Sequence, residues 1–447
     1  MSRTVIIGAN HAGIAAANTL LDNYPDQEVV LVDRNTNLSY LGCGTALWVG
    51  RQIEDYHGLF YTKKEDFEAK GAKIYMETSV NDIDYAGKKV HCHPLTGGDD
   101  FTLEYDHLLL TTGSTPISPN VPGRDLDGIH FLKLFQDGQD VDKEMSKPEV
   151  QTVAVIGAGY IGVEVAEAAK RRGKKVLVFD AAPTCLANYY DPEFSSMMEE
   201  NLKEHDLELH FGKLVSEYKG DANGRVNQVV TKEGETYDVD LVINAIGFRP
   251  NNDLGKDHLD LFANGAYKVD RHQATSDPAV YAAGDCATIY SNALDGDTYI
   301  ALASNAVRSG IVAGHNIGGT ALEAIGVQGS NGISIFGLNL VSTGLSVESA
   351  AKFGIDVAYT DFEDLQKPAF MKVNDKVKIR IVYEKSSRRV VGAQLASKAD
   401  VSMAIHMFSL AIQEHVTIDK LSLLDIFFLP HFNQPYNYIT MAALGAK

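Results

Sequence analysis

A cysteine flanked by glycines, Gly42-Cys43-Gly44, sits in the stretch Leu38-Ser39-Tyr40-Leu41-Gly42-Cys43-Gly44-Thr45-Ala46-Leu47-Trp48 and is the first group in this chain suited to redox chemistry. Sulfur reacts as the thiolate. The stretch reads as the entry to a helix, where backbone N–H groups and the helix dipole favour an anion and lower a thiol pKa. A cysteine between glycines is in general more often a small packing residue. Here the surrounding motifs favour chemistry. Cys92, Cys185 and Cys286 lie far from it and from one another, with no C-x-x-C pair, so neither a disulfide scaffold nor a metal site is expected. With no second thiol nearby in sequence, an oxidised Cys43 would persist as a sulfenic acid rather than close a disulfide.

This sulfur must be positioned by the elements around it. Thr4-Val5-Ile6-Ile7-Gly8-Ala9-Asn10-His11-Ala12-Gly13 is a β-branched run breaking into a glycine turn, followed by helical apolar spacing from Ile14 to Leu21 and a second strand, Glu28 to Val32, ending in Asp33. This is the order of a Rossmann βαβ unit: a tight turn, a helix N-terminus facing a pyrophosphate, and an acid for an adenosine ribose. Asn10 stands where the usual second glycine would be. A second copy carries the full G-x-G-x-x-G in Gly157-Ala158-Gly159-Tyr160-Ile161-Gly162, with a helix through Glu164 to Lys170 and a strand ending in Asp180. The duplication implies two dinucleotide sites in one chain. Asp180 would bind a free ribose 2′-OH and repel a 2′-phosphate, and the following Ala181-Ala182-Pro183 offers no arginine, so NAD(H) is expected over NADP(H).

After each copy comes a strand ending in a turn: Tyr105 to Pro116 with Thr111-Thr112-Gly113, and Leu241 to Asn251 with Gly247. Each reads as the closing strand of its nucleotide domain and a crossover into the next. Val280-Tyr281-Ala282-Ala283-Gly284-Asp285-Cys286 reads as a strand delivering Asp285 to the start of a helix, with Cys286 as a packing residue. From about Gly326 the glycine-turn pattern stops. Val377–Tyr383 and Val390–Leu395 read as antiparallel strands around the charged turn Glu384 to Arg389, and Val401 to His415 as an amphipathic helix. The aromatic run Phe427 to Tyr438 suits an intersubunit contact.

At 447 residues the chain has room for about three domains. Its 45% hydrophobic and 22% charged content is that of a globular protein, and a formal charge of −19 without a Lys/Arg run argues against a nucleic acid partner. No apolar run reaches the roughly 18 residues of a membrane span. The first residues read as a strand rather than a leader, so a reduced cytoplasmic setting and no membrane partner are expected.

The ordered set Gly8…Asp33, Cys43, Thr111-Thr112-Gly113, Gly157…Asp180 and Gly284-Asp285 resembles the pyridine nucleotide–disulfide oxidoreductases over nearly the whole chain. Asn10-His11-Ala12-Gly13 with Ser39 to Gly44 is similar to the single-cysteine branch that contains water-forming oxidases of NADH and peroxidases, and Thr45-Ala46-Leu47-Trp48-Val49-Gly50 looks closest to the oxidases. The fold so implied is α/β: an FAD-binding Rossmann-like domain over residues 1–118 and 252–324, an NAD-binding one over 119–251, and an α+β C-terminal dimerisation domain over 325–447.

The resemblance also implies FAD held by Gly8, Asn10, His11, Ala12, Gly13, Asp33, Cys43, Thr112, Gly113, Asp285 and Ala303. It implies NADH held by Gly157, Gly159, Tyr160, Ile161, Gly162, Glu164, Asp180 and Gly247. Tyr160 looks like the aromatic that covers the flavin until nicotinamide displaces it, and Glu164 like the residue facing the nicotinamide. A homodimer is implied, with His431 and Phe432 reaching towards the partner's flavin.

The chemistry expected is transfer of hydride from NADH through FAD to O2, with Cys43 as the thiolate that takes one oxygen and releases water, and His11 as the group that hydrogen-bonds or protonates the departing oxygen. Three other readings use the same residues. A peroxidase would reduce supplied peroxide. A coenzyme A–disulfide reductase would want basic residues where Asp22 and Asp26 stand, and an electron carrier would hand its electrons to a protein.

Overall fold

The computed structural model describes residues 2–447 and resolves three sheets that carry the chain's organisation. In the first, the strands Val280–Ala282, His107–Leu110, Ser2–Ile7, Gln27–Val32 and Lys73–Tyr75 lie side by side in that order, all parallel. The second repeats the plan with Glu208–Phe211, Lys175–Asp180, Thr152–Ile156, Leu241–Asn244 and Ile129–His130, again all parallel. Both sheets are covered on their two faces, which is why their strands read as unbroken Val/Ile/Leu runs rather than alternating ones. Val5, Ile6, Leu31 and Leu109 in one, and Val153, Val155, Val178 and Ile243 in the other, are fully buried. Each sheet also carries a three-stranded antiparallel appendage, Thr78–Asp84 with Lys89–Pro94 and Phe101–Glu104, and Val215–Gly220 with Val226–Thr231 and Thr236–Asp238. The repeat is therefore fuller than the glycine motifs alone disclosed.

The strands His107–Leu110 and Leu241–Asn244 are each followed by the expected crossing into the other domain; each lies directly beside the first strand of its sheet, and Val280–Ala282 and Ile129–His130 form the edges outside them. Asp285 does not begin a helix. It sits in a three-residue turn, Gly284–Cys286, and the next helix starts only at Ala303. That helix packs closely on His11–Asn23: a Cβ on Gly310 would lie 2.3 Å from the Ala12 carbonyl oxygen.

The chain crosses between the first two sheets twice, and the crossings pair with each other. Ser114–Pro116 runs antiparallel to Phe248–Pro250, extended by Asn251 N–H to Gly113 O at 2.9 Å and Ile117 N–H to Gly247 O at 3.0 Å. The third sheet is antiparallel, in the order Asn331–Ile335, Leu338–Gly344, Val390–Ser397, Lys376–Glu384 and Val357–Leu365, and packs against helices Ser402–Gln413 and Tyr438–Leu444. It docks on the second domain through Arg380, which is 2% exposed, reaches Asp191 at 3.2 Å and Glu193 at 2.9 Å, and is held from its own sheet by Asp361 at 2.7 Å. Gln394 Nε2 adds a bond to Asp191 at 2.7 Å. No described helix is long and apolar enough to cross a membrane.

Candidate active site

The first glycine turn is closed by sterics. A Cβ on Gly13 would come 1.9 Å from the Gly8 carbonyl oxygen, so the helix His11–Asn23 can start hard against the strand only if both positions are bare. In the second turn Gly162 meets Gly157 in the same way, at 1.8 Å, while Gly159 has nothing within 4 Å of where its Cβ would be. That open space at the N-terminus of the helix Tyr160–Arg171 fits a pyrophosphate, which the exposed N–H groups and dipole favour.

Each turn then binds its own acid. Ala9 N–H donates to Asp33 Oδ2 at 2.6 Å, and Ala158 N–H donates to Asp180 Oδ2 at 2.6 Å. The second oxygen of Asp33 accepts from Asn35 N–H at 2.7 Å, and that of Asp180 from Ala182 N–H at 2.7 Å. These bonds aim the carboxylates and leave lone pairs free for ribose hydroxyls. Burial pushes the Asp33 carboxyl above its usual range, against the hydrogen bonds from Asn35 and Ala9. The two acids and two turns fit two dinucleotides.

A strap over residues 38–62 holds Cys43. Leu41 N–H donates to Leu59 O at 2.8 Å, Tyr40 bridges Phe60, and Ser39 N–H reaches back to Ala9 O at 3.2 Å, which ties the strap to the first turn. Ser39 is fully buried with a positive φ of 63°, and its Oγ donates to Thr62 O at 2.7 Å. Thr45 Oγ1 bonds Gly42 O at 2.7 Å and also Tyr40 Oη, which fixes the turn from below. The helix entry expected at Cys43 is a three-residue turn, Gly42–Gly44, followed by only five helical residues, Thr45–Val49.

Cys43 is exposed to the cleft, and all four cysteines are free. The expected depression of its pKa is not found in the protein alone. Desolvation by the cleft walls pushes the thiol up, Glu164 adds to this, and the residue's own backbone N–H and Lys133 act in the opposite direction. A dipole of so few residues is too short to reverse the sign. Glu164, on the helix of the second turn, is itself pushed up to about 7, first by burial and then by Glu167.

Opposite lies a small polar cluster. Ser114 Oγ donates to Asp285 Oδ2 at 3.0 Å, and Lys133 Nζ reaches Ser114 Oγ at 2.9 Å and Asp285 Oδ2 at 3.3 Å. Gly284 packs on Ala12, and its N–H is bonded to Ser309 Oγ at 3.0 Å, which brings Asp285 to the first turn. Thr112 Oγ1 is held by Asn251 O at 2.6 Å. His11 makes no hydrogen bond to Cys43. Its Nδ1 lies 3.1 Å from Tyr61 Oη, with the two rings parallel. Burial pushes the imidazole below its usual range, against the pull of Asp285 and with the push of Lys133.

His11, Tyr61, Leu41 and Ala303 line the inner part of a cavity of about 570 Å³ between the helices His11–Asn23 and Ala303–Ile317. At its outer end the expected acidic patch is met by Lys70, which binds Asp22 at 2.7 Å and Asn18 at 3.0 Å.

The sequence-selected Gly8, Asn10, Ala12, Gly13, Thr112, Gly113 and Asp285 thus gather around the first turn, and Gly157, Gly159, Ile161, Asp180 and Gly247 around the second. Cys43, Glu164 and His11 lie near the junction. Lys133, Ser114 and Tyr61 escaped the sequence reading. Lys133 alone left a trace, a single cation inside the apolar run Phe131-Leu132-Lys133-Leu134-Phe135. His431 and Phe432 are exposed, Phe432 by 58%, on the C-terminal domain.

Two dinucleotide folds meeting at a single exposed thiol, with a separate antiparallel domain, define a class of nicotinamide- and flavin-linked oxidoreductases. The chain belongs to the pyridine nucleotide-disulphide oxidoreductase family: the family model matches residues 2–310, and the model of the family's dimerisation domain matches residues 332–437. It is 65% identical over 448 residues to the NADH oxidase of Lactococcus lactis subsp. cremoris, covering 100% of both chains. It is 55% identical over 460 residues to that of Streptococcus pyogenes, again covering 100% of both. Its structure resembles the water-forming NADH oxidase from Lactobacillus brevis bound to NADH, with a TM-score of 0.96 and 36% identity over 99% of this chain and 98% of that one. An engineered water-forming NADPH oxidase, a mutant of that enzyme, has a TM-score of 0.96 at 35% identity over 99% and 97%.

Proposed function

We propose that this chain is a homodimeric, cytoplasmic, water-forming NADH oxidase that uses FAD and a Cys43 thiolate/sulfenic acid cycle. One observation carries the reading: the only exposed cysteine, bonded to no other, lies between two glycine-turn folds in a chain similar along its whole length to a water-forming oxidase.

Gly8, Asn10, Ala12, Gly13, Asp33, Thr112, Gly113, Asp285 and Ala303 hold FAD, and Gly157, Gly159, Ile161, Asp180 and Gly247 hold NADH. When bound, FAD supplies the acceptor for hydride and the donor of electrons to O2. Glu164 and Tyr160 line the nicotinamide's place. Lys133 and the Asp285 carboxylate flank the cleft and set its potential, and Lys133 favours the Cys43 anion. The Cys43 thiolate attacks the O–O bond of hydrogen peroxide formed in the cleft. An S–O bond forms, the O–O bond breaks, and hydroxide leaves with the electron pair to become water on taking a proton. His11, kept neutral by burial, donates an N–H to that departing oxygen. Two electrons from a second NADH then return the sulfur to thiolate and release its oxygen as water.

Selection of NADH rests on Asp180. The engineered NADPH oxidase similar to this chain carries, among its changes, an aspartate to alanine and the next alanine to arginine. The test of the whole reading is the stoichiometry: about two NADH consumed per O2 with no free peroxide. A ratio near one with accumulating peroxide would sink it.

A further inference from the structure

We propose that Asn331, on the first strand of the C-terminal sheet, is the residue that holds Tyr160 in its resting position, so that the C-terminal domain sets how readily the nicotinamide gains its place. The inference rests on the reading of Tyr160 as the aromatic that nicotinamide displaces.

The geometry is a closed set of hydrogen bonds. Asn331 Nδ2 donates to Gly329 O at 2.7 Å, which fixes the amide and leaves Oδ1 pointing at Tyr160. The Tyr160 hydroxyl donates to that oxygen, as does Ser342 Oγ at 3.0 Å from the paired strand. Having given its proton to Asn331, the Tyr160 oxygen accepts from Tyr190 Oη at 2.8 Å. Tyr190 is 1% exposed. Tyr189 packs edge-on against the Tyr160 ring, with centroids 4.4 Å apart.

Tyr160 opens the helix that follows the second glycine turn, whereas Asn331 and Ser342 belong to the third sheet. Any swing of the Tyr160 ring breaks its bond to Asn331 across the domain boundary and also its bond with the buried Tyr190 hydroxyl, which keeps only a long contact to Asn331 Oδ1 at 3.5 Å. A ligand that needs the swung state binds with an apparent affinity reduced by the rarity of that state. A ligand that does not need it is indifferent. Asn331 is on this account a positioning residue acting through Tyr160.

The test is calorimetric binding to the oxidised, FAD-loaded dimer of two ligands: NAD⁺, and ADP-ribose, which shares every group except the nicotinamide. Asn331→Ala should bind NAD⁺ about tenfold more tightly, the equivalent of one hydrogen bond, with ADP-ribose unchanged. Tyr160→Phe removes the same bond by a single oxygen and should show the same gain, and the double variant should add nothing to either single one. Tyr160→Phe also carries the test if Asn331→Ala does not fold. NAD⁺ affinity unchanged or weakened, a shift shared by both ligands, or independent gains in the double variant would each overturn the assignment. Tyr160→Ala separates the two layers. If it fails to strengthen NAD⁺ binding, the displaced-aromatic reading falls; if it does and Asn331→Ala does not, only Asn331 loses its role.

Discussion

The Tyr61 hydroxyl lies 3.1 Å from Nδ1 of His11, and the two rings stack in parallel with centroids 5.7 Å apart. One face and one nitrogen of the imidazole are thereby committed to the strap, and Nε2 is the nitrogen left for a ligand in the cleft. His11→Ala should slow sulfenic acid formation about 10²-fold and release peroxide. Tyr61→Phe keeps the stack but not the bond and should show the same defect at about a tenth of that size. Rapid-mixing measurement of peroxide reduction by the reduced enzyme checks both, and an inert Tyr61→Phe would remove the tyrosine from the mechanism.

Replacing the sulfur tests the cycle itself. Cys43→Ser should still oxidise NADH, with the NADH to O2 ratio falling from about two to about one and peroxide appearing in step. Water formation unaffected by this change would exclude Cys43.

Glu164 gives a pH dependence of fixed sign. Its carboxyl is pushed from the ordinary 4.5 to about 7 in the fold, so the native state holds a proton that the unfolded chain has lost. Stability therefore falls as pH rises through that window, by about 3 kcal/mol at most. In the cofactor-free protein Glu164→Gln should raise the urea midpoint at pH 8 and leave it unchanged at pH 4.5. A gain of equal size at both values would show that packing, not charge, is responsible.

At the second turn, Asp180→Ala combined with Ala181→Arg removes the proposed ribose acceptor and offers a cation to a 2′-phosphate. The ratio of kcat/KM for NADPH to that for NADH should rise about 100-fold or more. Steady-state kinetics with each nucleotide decides it.

The aromatic tail predicts the quaternary state. Phe427, Phe428, Phe432 and Tyr436 are 65%, 48%, 58% and 76% exposed on one chain, a stretch of apolar surface that a second copy would cover. Phe428→Asp with Phe432→Asp should convert the dimer to monomer in analytical ultracentrifugation.

What the sequence disclosed was whatever is local and periodic. The glycine turns, the acids closing each βαβ unit and the parallel strands announce themselves because sterics and burial act within about thirty residues. Lys133, Tyr61 and Asn331 carry no such mark. Each is an ordinary residue made significant by a long-range fold: Lys133 by the crossing to Asp285, Tyr61 by the strap that brings it to His11, and Asn331 by the docking of the third sheet on the second domain. The Cys43 environment departs from its local sequence for a related reason. Neighbours in sequence suggested a helix dipole, whereas the walls of the cleft, distant in sequence, set the sign.

The paired crossings Ser114–Pro116 and Phe248–Pro250 mean that the chain enters and leaves its middle domain through one doorway. An insert with adjoining ends is a cassette. Transplanting it between relatives would exchange nucleotide preference as a unit, while the thiol, its strap and the first glycine turn stayed with the recipient.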